Sequence, residues 1–219
     1  MPITSHLFLL VFLPLTAAAY YLLLRTPRQK MFFLLAASCA FYAAAGLKFL
    51  PVLLGLSLAT WLAGRWNRGG PAILLNLAAL LLFKYWNFGI ENVSAVLSAL
   101  HIEYTPALLS LGMPLGLSFF VFKHIGYLID LRQRRYEPAA DLWSFATYST
   151  YFPQISAGPI SNYRDTASQF ESLPGRLEAE QLVTALVFIS YGLAKKILIA
   201  DTIGAVTASR LNQVSGSAG

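Results

Sequence analysis

The sequence predicts an all-α, polytopic transmembrane helix bundle of about six or seven membrane segments. Three observations carry this. Of the 219 residues, 57% are hydrophobic and only 12% are charged, about half the charged share of a soluble domain. The charges are clustered, leaving long uncharged runs between them. The short loops between those runs alternate between cation-rich and cation-poor, the pattern of membrane-protein loops. The runs lack strict period-2 alternation, which argues against a transmembrane β-barrel.

Seven tracts are the candidate segments, taken in order. Leu7 to Leu24 gives 18 uncharged residues, Met31 to Leu47 gives 17, Phe49 to Gly64 gives 16 and Gly69 to Phe83 gives 15. Tyr104 to Phe122 gives 19 and Leu142 to Tyr163 gives 22. Leu182 to Ala194 is shorter and resumes as Ile197 to Ala200 after Lys195 and Lys196. A crossing helix needs roughly 17–25 residues, so the shorter runs rely on snorkelling Arg and Lys or on local thinning. The first run reads as a retained helix rather than a cleaved signal. No Lys or Arg precedes it, and Arg25, Arg28 and Lys30 come after it.

The loops set the expected orientation. Arg25 to Lys30 is cation-rich, Lys48 stands alone, and Arg65 with Arg68 is rich again. The loop expected after Lys84 carries Glu91, His101 and Glu103, and the next carries Arg132, Arg134 and Arg135. The positive-inside rule then places the N-terminus outside. The net charge of +6 is explained by these loops and does not call for nucleic acid as a partner. The lipid bilayer is the partner that composition implies. The chain reads as one transmembrane domain, residues 1–219.

After Asp141 two options stay open. Leu142 to Tyr163 either spans with a break or re-enters on one side, because Pro153, Gly158 and Pro159 interrupt its hydrogen-bond ladder. Thr166 to Glu180 reads as a surface connection carrying a short helix. Gly112 and Gly116 form a GxxxG pair with Pro114 between them.

Three stretches could carry chemistry. Leu117 to Asp130 places Lys123, His124 and Asp130 in apolar surroundings, and an ionisable residue at membrane depth marks a functional site by default. The blander alternative sets Lys123 and His124 at the interface, close to Arg132. Tyr151 to Asp165 contains Phe152, Pro153, Gln154, Gly158, Pro159 and Arg164. Its broken backbone could bind a polar ligand or could be a simple kink between helices. Tyr191 to Asp201 holds Lys195 and Lys196, which could attract phosphates or serve as an ordinary interfacial anchor. No GxxxxGK[ST], GxSxG or HExxH is present. His6, His101 and His124 are widely spaced and suggest no metal site. The single cysteine, Cys39, reads as a buried small hydrophobe.

Pro114-Leu-Gly-Leu-Ser-Phe-Phe-Val-Phe-Lys-His-Ile-Gly-Tyr-Leu-Ile-Asp130 is the first of three ordered motifs. Tyr151-Phe-Pro-Gln-Ile-Ser-Ala-Gly-Pro-Ile160 with Tyr163-Arg-Asp165 is the second, and Gly192-Leu-Ala-Lys-Lys-Ile-Leu-Ile-Ala-Asp201 is the third. Together they resemble the membrane-bound O-acyltransferase family, in its alginate O-acetyltransferase-like branch. The resemblance implies a ring of tilted helices around a tunnel, and transfer of an acyl group from a thioester, such as acetyl-CoA, to a hydroxyl. It implies no bound cofactor. It also implies an extracytoplasmic acceptor protein or polysaccharide such as alginate, and a bacterial cytoplasmic (inner) membrane location.

In that family the base is a histidine in a Trp-His type motif of the C-terminal half. That motif is absent here, so no catalytic residue is assigned, and the chain is expected to be an N-terminal half, inactive alone. On the resemblance, Phe152, Pro153, Gln154, Gly158 and Pro159 are tunnel-wall candidates. Arg164, Lys195 and Lys196 are candidates for steering an anionic donor. The competing reading is a polytopic transporter or channel whose broken helix binds a solute. A non-catalytic membrane scaffold is a third.

Overall fold

A computed structural model describes residues 4–100, 112–156, 158–171 and 177–216. Among the described residues the structure is helical and contains no strand. The chain divides into two units, Met1–Leu173 and Pro174–Gly219, and each is described separately.

The first unit opens with a π turn, Phe8–Phe12, leading into α1, Leu13–Leu22. Helix α2 spans Pro27–Gly46. Its start is fixed by sequence. Thr26 Oγ1 accepts from Gln29 N while Gln29 Oε1 accepts from Thr26 N, each at 3.2 Å, and Pro27 occupies the first turn. This reciprocal cap satisfies amides that a helix start leaves bare. A 3-10 turn, Leu47–Phe49, connects to α3, Leu50–Arg65. Next come α4, Gly69–Ala99, and α5, Leu117–Arg132. Two short helices, α6 (Leu142–Thr150) and α7 (Phe152–Ile155), and α8 (Tyr163–Glu171) complete the unit. Asp141 caps α6 by accepting from Ser144 N at 2.8 Å.

Helix α6 is the hub. It packs on α2, α3 and α5, while α4 packs on α3 and α5. Two apolar cores result. One centres on Tyr127, Phe145, Tyr148 and Tyr163. The other gathers Phe8, Phe41, Phe120 and Phe152. In the second unit, α9 (Ala179–Ala194), a π turn (Lys195–Ala200) and α10 (Asp201–Gly216) succeed one another directly.

Three stretches are long and apolar enough to cross a membrane: Pro27–Arg65, Gly69–Ala99 and Ala179–Ala208. Phe8–Leu22 is a shorter apolar helix. An all-α membrane bundle is therefore what the chain forms. Several predicted boundaries shift. The run Gly69 to Phe83 does not end at Lys84. Helix α4 continues to Ala99, so the expected loop around Glu91 is helical, because only two charges, seven residues apart, interrupt an otherwise apolar helical pattern. His101 and Glu103 lie outside the described residues, as do residues 104–111 of the fifth tract.

The described part of that fifth tract becomes helical only at Leu117. Gly112 and Gly116 adopt φ of +59° and +65°, a left-handed conformation that glycine tolerates. They shape a turn, so the GxxxG pair does not serve as a helix-packing face. The 22-residue tract Leu142 to Tyr163 resolves into α6 and α7 with an irregular stretch after Ser156. Helix α6 has nine residues and is ~14 Å long, about half the hydrocarbon thickness. This tract does not cross as one helix. The expected short helix in the next connection is α8, which begins at Tyr163 rather than after Thr166.

Candidate functional site: a buried polar layer on α5

The two adjacent residues Lys123 and His124 sit in the middle of α5, exposed by 3% and 0%. Both side chains are buried among the helices of this unit. Neighbours on a helix point about 100° apart, so the two side chains serve different partners.

His124 joins α3, α4, α5 and α6. Its Nδ1 lies 2.9 Å from Asn76 Oδ1 and its Nε2 lies 2.7 Å from Ser149 Oγ. Proton directions are set by Asn76. Its Nδ2 donates to Thr60 Oγ1 at 3.0 Å and to Ala72 O at 2.9 Å. A flipped amide would set Oδ1 against the Ala72 carbonyl, so Oδ1 faces the imidazole as an acceptor. Nδ1–H therefore donates to Asn76, and Nε2 accepts from the Ser149 hydroxyl. Ser57 Oγ lies 2.7 Å from both Ser149 Oγ and Leu53 O, and its single proton goes to Ser149, whose own proton is given to His124. The layer is complete with a neutral imidazole, which suits an apolar interior. His124 and Ser149 are both essentially unexposed, and the layer ties helices together.

Lys123 has a different task. In an unbroken helix the Tyr148 carbonyl would accept from the Phe152 N–H. Here Phe152 N donates to Ser38 Oγ of α2 at 3.1 Å. Lys123 Nζ takes the vacated place, donating to Tyr148 O at 2.6 Å and to Gln154 Oε1 at 3.2 Å. Its ammonium also lies 4.1 Å from the Tyr148 ring centroid. A cation at a helix C-terminus opposes the dipole there. The break between α6 and α7 is thus held from both sides by side chains, as a backbone broken at depth requires. Gln154 Oε1 also accepts from Ser161 Oγ at 3.1 Å, and Thr166 Oγ1 donates to Ser161 Oγ at 3.1 Å. A polar lane thereby runs from Lys123 toward α8. Lys123→Met keeps the stem and deletes the donor. It is expected to cost about 1–3 kcal/mol, read as a lower thermal midpoint in detergent. An unchanged midpoint would refute the role of Lys123 as a plug for the Tyr148 carbonyl.

The other sequence-predicted residues fall in separate places. Phe152 is buried among Phe8, Phe12 and Phe41, with ring centroids at 6.1, 5.3 and 5.9 Å. Pro153 and Pro159 are exposed, and Gln154 and Gly158 are half-buried. Gly158 presses on the backbone of Gln154 so closely that a Cβ would collide with it. Asp130 is buried and pairs with Arg135 at 2.9 Å. Arg164 is exposed beside a pocket of about 330 Å³ that also touches Tyr136, Asp141 and Tyr163. The Tyr136 hydroxyl there is buried without a hydrogen-bond partner. Burial pushes its pKa up, and the Asp130 carboxylate adds to the same direction, so the phenol stays protonated. In the second unit, Lys196 Nζ pairs with Asp201 at 2.7 Å, and Lys195 Nζ lies 4.2 Å from the Tyr191 ring centroid. Among the described residues no cluster of His, Cys, Asp and Glu could hold a metal ion.

Sequence reasoning missed Asn76, Ser57, Thr60 and Ser149. A signal was present: Ser57 and Thr60 are three residues apart within one apolar run, and Asn76 is the lone amide of the next. Polar residues at helical spacing inside apolar tracts are interhelical hydrogen-bonding candidates.

Fold and site together define a polytopic α-helical membrane protein with a polar layer across four helices. No protein-family model matches the chain, and no solved structure matches it significantly. Curated relatives do. It is 31% identical over 221 residues to a probable alginate O-acetylase of Pseudomonas syringae pv. tomato, covering 94% of this chain and 41% of the relative. It is 28% identical to a peptidoglycan O-acetyltransferase of Helicobacter pylori, over 90% of this chain and 44% of the relative. A teichoic acid D-alanyltransferase of Lacticaseibacillus rhamnosus matches 65% of the chain at 26% identity and is itself covered by 39%. The chain is thus homologous to membrane-bound O-acyltransferases of the alginate O-acetylase branch, as its motifs indicate. It spans about two fifths of the length of the curated relatives it matches.

Proposed function

We propose that this chain forms part of a membrane enzyme that moves an acyl group from a thioester donor, such as acetyl-CoA, onto a hydroxyl of a cell-surface polysaccharide such as alginate. The observation that carries this reading is the match over 94% of the chain to alginate O-acetylases. The matches to enzymes named for peptidoglycan and teichoic acid support a polymer acceptor. The enzyme sits in the bacterial inner membrane with its N-terminus outside, needs no bound cofactor, and meets its acceptor, or an acceptor-carrying protein, outside the cytoplasm.

In this reading α5 to α8 supply scaffold rather than the reacting base. Phe152, Pro153, Gln154, Gly158 and Pro159 shape one wall of the acyl path. Arg164, Lys195 and Lys196 steer an anionic donor. The test uses membranes carrying the longest native polypeptide that contains this sequence. Given acetyl-labelled donor and deacetylated alginate or peptidoglycan, they are expected to yield base-labile ester on the polymer. Lys195→Ala with Lys196→Ala is expected to raise the donor KM. Absence of ester above vector membranes with every acceptor, while the protein is present and folded, would overturn the proposal.

A further inference from the structure

Away from the polar layer, the junction of α3, α4 and α5 encloses a cavity of about 350 Å³. Its lining includes Asn67, Gly69, Gly70, Arg132 and Arg134. That volume falls within the range of ligand sites, and no carboxylate belongs to the lining. In sequence Asn67 lies in the cation-rich loop 65–68, Gly69 and Gly70 open α4, and Arg132 and Arg134 lie in the cation-rich stretch 132–135; the fold brings them together.

We propose that this cavity binds a phosphate ester at the membrane surface. Unopposed positive charge is the reason. The cavity meets the start of α4, a 31-residue helix that has no side-chain cap and no acid in its first turn. A helix start carries about half a positive charge. Ser, Thr or Asp normally answers it. Here the N-cap is Arg68, and two exposed arginines, Arg132 and Arg134, belong to the cavity lining. The helix start and two cationic residues therefore border one space whose lining holds no carboxylate. Asp130, the nearest acid on α5, is already engaged by Arg135 at 2.9 Å.

Helix-dipole pairing does not account for both arginines. Arg132 lies in the last turn of α5 and suits its C-terminus, but Arg134 lies past the helix end. Arg134 holds φ of +54°, and Asn67 across the cavity holds +52°. These are the two non-glycine residues in left-handed backbone among the described residues. A phosphate resolves the imbalance, since guanidinium forks match its oxygens and bare helix amides donate to them. Two sources supply that chemistry: the headgroup of an anionic phospholipid, or the diphosphate of a soluble acyl donor. Phosphate binding here does not depend on acyl transfer.

The test is native mass spectrometry of the full chain in detergent, offered phosphatidylglycerol, phosphatidylcholine, coenzyme A or pyrophosphate. Preferential retention of phosphatidylglycerol that coenzyme A does not displace identifies the lipid. Displacement by coenzyme A or pyrophosphate identifies the soluble diphosphate. In either case Arg132→Gln with Arg134→Gln is expected to weaken retention about tenfold or more. Gly70→Asp is the second variant. A Cβ there meets nothing within 4 Å, and a carboxylate in the first turn favours the helix. It should preserve the thermal midpoint and still block binding, so it decides the matter if the arginine pair fails to fold. Retention no greater than that of phosphatidylcholine, or binding that survives in the folded variants, would overturn the proposal.

Discussion

Replacing His124 with leucine is expected to lower the thermal midpoint of the detergent-solubilised chain by several degrees. The substitution removes two hydrogen bonds at once and strands Asn76 Oδ1 in an apolar interior, while the Ser149 hydroxyl keeps Ser57 as a partner. A stranded buried polar group costs about 1–3 kcal/mol. Interhelical bonds in membranes average nearer ~0.6 kcal/mol each, because separated helices in lipid also find partners. The stranded Asn76 oxygen is fully enclosed, so its penalty outweighs that average, and about 1–3 kcal/mol is expected in total. Half-repairs separate the bonds. His124→Asn retains a donor toward Asn76, and His124→Gln places one amide further out, toward Ser149. Each is expected to recover part of the loss. If leucine proved as stable as histidine, the layer would hold nothing together.

Gly116→Ala is expected to be at least as damaging. Gly116 combines a left-handed φ of +65° with close approach to α7, where a Cβ would collide with the Ile155 carbonyl. The left-handed conformation alone costs an L-residue roughly 1–2 kcal/mol. The collision adds more, because its partner is backbone and cannot rotate away. Either the start of α5 or the short helix α7 must shift, and the contact of Lys123 with Gln154 shifts with it. The expected result is a poorly folded protein, seen as aggregation on size exclusion in detergent. Gly126→Ala is the matched control, since a Cβ at Gly126 meets nothing within 4 Å. Equal behaviour of the two variants would refute the close-packing argument.

The membrane class was legible because it rests on composition, and composition survives ignorance of tertiary contacts. Helix starts marked by local chemistry were legible too: Thr26 with Gln29 and Asp141 with Ser144 need only their own neighbours. Helix ends were harder. The run ending at Phe83 stopped at a charge, but the backbone does not stop there, since a single lysine on a helix face costs little where it can reach a polar layer. The break after Thr150 was visible in Pro153, Gly158 and Pro159, whereas its repair by Lys123 and Ser38 was not. Those contacts span 25 and 114 residues, a separation that no local pattern encodes. The same applies to His124. Its ionisable side chain flagged it, yet its role came from Asn76 and Ser149, residues that looked ordinary in their own tracts.

The length of α4 has a geometric consequence. Its 31 residues rise ~46 Å, against a hydrocarbon slab of ~30 Å. Leaning by ~40°, the steepest inclination usual for such helices, it would still rise about 35 Å. Some of this rod must therefore stand clear of the oily slab. If Gly69 sits at one face, Tyr85 and Trp86 arrive near the other, the depth at which such rings prefer to lodge. Held upright, the final turns carry Val93 and Val96, bare on the surface, ~36–40 Å above Gly69, like a mast standing among headgroups and water.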